Sequence, residues 1–250
     1  MRANILLPAA AVLLAASGAT PGAETSWRDI ESRIQYGYYT EDAAALRSLR
    51  GLIAADESHD RLHGYYAALL AWREAQLAAR GVPASRGERA GDLAERCVTE
   101  ADNLLESQAA FTDALALRAA CLATPLNAGG GTISTHRARK DIEHALKSSP
   151  HDPRVLLVDA MNDYQLASAG GGGKERALPK LRLAVAAFEA ERAGLERLPG
   201  WGAAEAYLLL ARDLLDHADP VGARDALEHA LLIAPEYTQA RRLMARIVGG

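Results

Sequence analysis

From Ser26 to Val248 the apolar residues recur at intervals of three and four, as in Leu46, Leu49 and Ile53 or Leu227, Ala230 and Leu231, and β-branched alternation is nearly absent. Such spacing buries apolar atoms in only one way, along stripes on helices packed side by side. The periodicity breaks where turn formers cluster: Gly37 to Thr40, Asp56 to Ser58, Gly81 to Gly87, Ser107 to Gln108, Thr124 to Thr135, Ser148 to Asp152, Ser168 to Gly173, Leu198 to Gly202, and Ala218 to Asp219. Thr40 ahead of Glu41 and Asp42 reads as a helix start. Asp152-Pro153 and Asp219-Pro220 each supply a capping acceptor followed by a proline where no N–H is needed. Pro179 fits the first turn of a helix that begins after the glycine run. These divisions predict an all-α chain of about eleven helices, grouped as about five antiparallel pairs and a closing helix from Thr238 to Val248.

Before Ser26 the pattern is different. Arg2 is followed by an uncharged stretch from Ile5 to Ala16 and then by small residues up to Ala23, the layout of a secretory signal peptide over residues 1–23, with cleavage expected after Ala19 or Ala23. The stretch falls short of the roughly 20 residues of a spanning helix, and Pro8 and Gly18 weaken it, so no stable membrane insertion is expected after cleavage. Residues 24–250 are then the mature, periplasmic or secreted domain. The full chain, 49% hydrophobic, has material for a core, and its net charge of -4 supplies no basic excess for nucleic acid.

A small-residue repeat runs through the helices. Tyr207, Leu210, Ala211 and Leu214 are followed by Ala223, Leu227, Ala230 and Pro235; the half-pattern returns as Ala138, Ile142, Ala145 and Pro150, and more loosely as Ala45, Leu49 and Leu52. Small side chains at these positions let helix axes approach to about 8–10 Å. The pattern resembles the tetratricopeptide repeat, closely over Tyr207 to Pro235 and as architecture over most of the chain. The segment from Pro150 to Gly202 is also similar to a group of exported bacterial tetratricopeptide-like proteins. The resemblance implies an α-α superhelix, or solenoid, whose concave wall binds an extended protein or peptide. Pro150 and Pro235 are not separated by a multiple of the family's repeat length, so the glycine loops at Gly129 to Gly131 and Gly170 to Gly173 are read as insertions.

Motifs for chemistry fail on detail. The run Gly170 to Lys174 is followed by Glu175 where a phosphate loop needs Ser or Thr, and a helix precedes it where a strand is required, so it reads as a flexible link. His59 and His63 stand one turn apart, but no third ligand and no adjacent glutamate complete a zinc site; two histidines at an acidic helix start are an ordinary surface feature. Ser58, His59 and Asp60 are neighbours in sequence, which is not how a triad converges, and no Gly-x-Ser-x-Gly elbow exists. Catalytic residues, bound metal and cofactor are therefore expected to be none, and the chain is expected not to be an enzyme. A metal-dependent hydrolase would need His59 and His63 joined by a distant ligand.

The midpoint of Cys97 and Cys121 is residue 109, beside the turn at Ser107 and Gln108, so an antiparallel hairpin sets them at one height. Two readings stand: a disulfide in an oxidising compartment, or two reduced cysteines acting as small core residues. Tyr36, Tyr38, Tyr39, Tyr65 and Tyr66 crowd the first quarter of the chain, as caps on the open end of a stack or as a partner surface. If the helix from Pro153 lines the concave side, Arg154, Leu157, Met161 and Tyr164 share a stripe, as do Leu208, Arg212 and Leu215 on the helix from Ala203. Leu157 and Leu208 read as core, leaving Arg154, Met161, Tyr164 and Arg212 as the expected partner-binding residues. The paired lysines and asparagines with which some members of the family hold a chain terminus are not on these helices. The expected function is a non-catalytic scaffold or adaptor that binds a protein or peptide in the cell envelope; a structural spacer of an envelope assembly is the alternative.

Overall fold

The structure is a computed structural model that describes residues 26–249 except 57–59, 83–86, 125–131, 166–172 and 193–196. The expected signal segment, His59 and most of both glycine loops lie outside the described residues. The described residues form eleven helices and no strand: α1 Trp27–Tyr39, α2 Ala43–Ala54, α3 Arg61–Ala79, α4 Ala90–Ser107, α5 Thr112–Ala123, α6 Thr132–Ser148, α7 Pro153–Gln165, α8 Lys174–Arg192, α9 Ala203–Asp216, α10 Pro220–Ile233 and α11 Thr238–Gly249. None is long and apolar enough to cross a membrane.

Local chemistry sets the boundaries. Asp42, Asp60 and Asp219 each accept a backbone N–H from the first turn of the helix that follows, and Asp152 does the same for Arg154 at 2.9 Å. The start at Thr40 is corrected by two residues: Asp42 caps α2, while Thr40 ends α1 with its hydroxyl donating to the Tyr36 carbonyl at 2.8 Å. Pro179 sits in the second turn of α8, because that helix already begins at Lys174. Gly202 opens α9 with φ +116, and a Cβ there would come within 2.6 Å of Phe188 Cζ. Only glycine meets both demands.

Each odd-numbered helix packs on the even-numbered helix that follows it, from α1 with α2 to α9 with α10, and α11 packs on α10. The odd helices also touch in succession, α1 to α3, α3 to α5, α5 to α7 and α7 to α9. They form an inner layer and the even helices an outer one. The burial of α3 follows from this: every residue from Ala68 to Ala75 is buried, two full turns with no solvent face. The repeat alanines Ala138, Ala145, Ala223 and Ala230 are buried where α5 meets α6 and α9 meets α10.

The inner layer does not lie open as a trough. Tyr39 donates to Glu205 of α9 at 2.8 Å, its ring lies 4.5 Å from that of Tyr237, and Arg242 of α11 pairs with Glu41 at 2.9 Å. The first helix thus meets the last ones. The amino-terminal tyrosines serve this junction and the centre: Tyr38, Tyr65 and Tyr66 are buried, Tyr39 is half-buried and Tyr36 alone of the five is exposed. From the far side the segment before α9 enters the middle. The Gly200 N–H donates to both oxygens of Glu31 at 2.9 and 3.0 Å, and Trp201, fully buried, donates to the Tyr65 hydroxyl at 2.6 Å.

Candidate functional site

Between the inner helices and above Trp201 remains a cleft of about 280 Å³. Its floor is Trp72, whose ring meets Trp201 edge-on at 5.2 Å and whose indole N–H donates to Thr124 at 3.1 Å. Tyr38 of α1, Arg73 and Arg80 at and beyond the floor helix α3, Ala120 of α5, Met161 and Tyr164 of α7, Leu208 and Arg212 of α9, and Tyr237 and Gln239 from the start of α11 surround it. Every odd-numbered helix contributes, so the cleft exists only because the ring closes.

Three guanidiniums face one carboxylate here. Arg73, with no exposed surface, is paired with Glu205 and lies over the rings of Tyr38, Trp72 and Trp201 at 4.1 to 5.1 Å. Glu205 is also held by the Tyr39 hydroxyl, so its charge is used. Arg80 donates to the Tyr38 hydroxyl at 3.2 Å and Arg212 to the Gln239 side-chain oxygen at 2.7 Å; among the described residues neither has a carboxylate within 4.0 Å. The field registers on Tyr38: burial pushes its phenol up, but Arg80 and Arg73 outweigh burial and hold it below its ordinary value. Tyr164 is raised by burial and by its 2.8 Å bond to Asp216, so it stays a neutral donor. Two buried donors, Arg73 Nε and Gln239 Nε2, have no acceptor.

The larger cavity beside it, about 450 Å³ between α5, α6, α7 and α8, is electrostatically closed on itself. Lys180 pairs there with Asp159 and Asp163 at 2.8 and 2.7 Å, and Arg176 with Asp163 at 3.4 Å. The axial cleft has charge left over, which makes it the stronger candidate.

Of the four residues expected to bind a partner, the structure brings Met161, Tyr164 and Arg212 together on this cleft. Arg154 lies elsewhere. Its guanidinium is wholly buried, donates to both oxygens of Glu191 at 2.9 and 2.8 Å and sits over Phe188, one turn below the cleft wall. Leu157 and Leu208 are buried, as expected of core residues, and also border the cleft. The sequence singles out Tyr38 only as one of the crowded amino-terminal tyrosines, and it gives no sign of Arg73, Arg80, Glu205 or Tyr237. The Arg73 to Glu205 pair spans 132 residues of chain, a separation that no periodicity reports.

No family model and no curated protein matches the chain. Among solved structures it resembles the HusA haemophore from Porphyromonas gingivalis. The TM-score is 0.59 at 20% identity, with 78% of this chain and 96% of that one covered. The likeness is one of fold, an all-helical one, and tests neither a repeat family nor a ligand.

The remaining expectations have definite places. Cys97 of α4 and Cys121 of α5 are both buried, with Cα atoms 6.0 Å apart and sulfurs in bonding contact. His63 has its Nε2 2.9 Å from the Ile53 carbonyl oxygen, inside its own hairpin. Lys174, at the end of the glycine run, pairs with Asp216 at 2.9 Å and lies over the Tyr164 ring near the cleft's edge.

Proposed function

We propose that this is an exported, non-catalytic binding protein whose helical hairpins stack in the manner of tetratricopeptide repeats and which takes a protein or peptide partner of the cell envelope at its axial cleft. The reading is supported above all by one observation: Met161, Tyr164 and Arg212, from two different helices, converge with Arg80 on a cleft that has apolar walls and, among the described residues, three guanidiniums to one carboxylate. A cleft of that size admits a side chain or chain end, which makes it the anchor pocket of a wider contact rather than a channel for an extended chain. Replacing Tyr164→Ala and Arg212→Ala together is expected to reduce capture of the partner from an envelope fraction at least tenfold, with helical circular dichroism unchanged. Undiminished capture removes the cleft as the binding site.

A second reading draws on the fold likeness to a haemophore: a porphyrin that enters the cleft by one edge, against Tyr164 and Met161, with the rest of its ring outside. Titration with haemin decides it. A saturable Soret shift that Met161→Ala and Tyr164→Phe weaken supports haem; a spectrum that remains that of free haemin excludes it.

A further inference from the structure

We infer that the group this cleft takes is a carboxylate carried on a compact apolar body. The inference rests on the cleft being the binding site and names its ligand chemistry. A cation is disfavoured first: among the described residues the one carboxylate in the lining, Glu205, is already bonded to Arg73 and to Tyr39, so a positive guest meets no free carboxylate there. A neutral polar guest leaves the charge of the half-buried Arg212 unanswered, and the exposed Arg80 at the rim adds to the same positive field. The unsatisfied buried atoms in the lining agree in kind, since Arg73 Nε and Gln239 Nε2 are both hydrogen-bond donors. The donor that does reach the cleft, the half-buried guanidinium of Arg212, selects an acceptor that carries negative charge. A bare inorganic anion, in turn, gains nothing from Trp72, Leu157, Met161 and Leu208. The whole chain carries a net charge of -4, so the attraction is local to the cleft.

Such a carboxylate has two sources, a free organic acid or the terminal carboxylate of a chain, and paired probes separate them. Isothermal titration of the full chain uses 3-phenylpropanoate against 3-phenylpropanamide, and a pentapeptide ending in phenylalanine as free acid against the same peptide amidated. At least one acid is expected to bind about tenfold or more tightly than its amide; the small acid alone points to a free ligand, the peptide alone to a chain end. Arg80→Gln and Arg212→Gln are each expected to weaken the acid about tenfold and leave the amide unchanged, while Arg212→Lys retains part of the preference. Unchanged thermal midpoints keep the comparison on folded protein. Acid and amide binding alike overturns the carboxylate and leaves the cleft a binding site. No binding by any probe at millimolar concentration also overturns it, and partner capture by the Tyr164 and Arg212 double variant then decides separately whether the cleft is used.

Discussion

Asp113 carries a carboxylate that this fold buries with half of its hydrogen-bonding capacity unmet. It is fully buried at the start of α5; one carboxylate oxygen accepts from Arg197 at 3.0 Å and the other has no partner. Burial, with the nearby Asp152 carboxylate, pushes its pKa up to about 6, against the opposing pull of Arg154 and Arg197. The raised value fixes a sign. The folded chain holds a proton on Asp113 at pH values where the unfolded chain has lost it, so this group stabilises the fold below the usual carboxylate range and loses that contribution as pH rises through about 6. Asp113→Asn, an isostere of the protonated form, is therefore expected to be at least as stable as the parent at pH 7 and to match it at pH 4. Denaturant melts at both values check this; a variant less stable at pH 7 contradicts it. The same scale explains why Arg212 lines the cleft and Arg154 does not, though helical periodicity treats them alike. A wheel puts both on inward stripes, but α7 starts beneath α8, where Glu191 waits and the cleft does not reach.

At the scale of elements, nearly all of the helices were legible. Capping aspartates, prolines at first turns and a periodicity of three to four residues are local signals, and helices are local structures. The height match of Cys97 and Cys121 was legible for the same reason, because their midpoint, residue 109, lies in the turn between α4 and α5, and an antiparallel hairpin places residues equally far from its turn side by side. A disulfide between them closes a loop of sequence separation 24 and contributes about 3 kcal/mol in the chain-entropy model. The intact protein is expected to resist thiol labelling until reduced, and Cys97→Ala with Cys121→Ala to lower the thermal midpoint by roughly 5–10 °C. Full labelling of the untreated protein shows two thiols instead. The segment before α9 was not legible: Leu198 to Gly202 reads as a turn, yet it delivers Trp201 to the centre through Glu31 and Tyr65, partners more than 130 residues away.

At the scale of the whole molecule, the decisive event is closure. An open stack of hairpins offers a long inner wall, whereas here Tyr39, Glu205, Tyr237 and Arg242 join the first helix to the last, and Trp201 fills one end of the axis. What is left is a short cleft whose lining comes from every inner helix. The apolar share of that lining follows from the repeat pattern; the surplus of guanidinium follows only from three-dimensional closure, which is why Arg73 and Arg80 carried no signal in the sequence. The central claim is that partners bind at this cleft and not along the outer layer. It is tested most directly by placing a photoreactive benzophenone side chain at Met161 and, in a second variant, at Leu183 on the exposed face of α8. Irradiation in the producing cells is expected to yield a discrete cross-linked species from position 161 and none from position 183, and cross-linking from 183 with none from 161 would contradict the account.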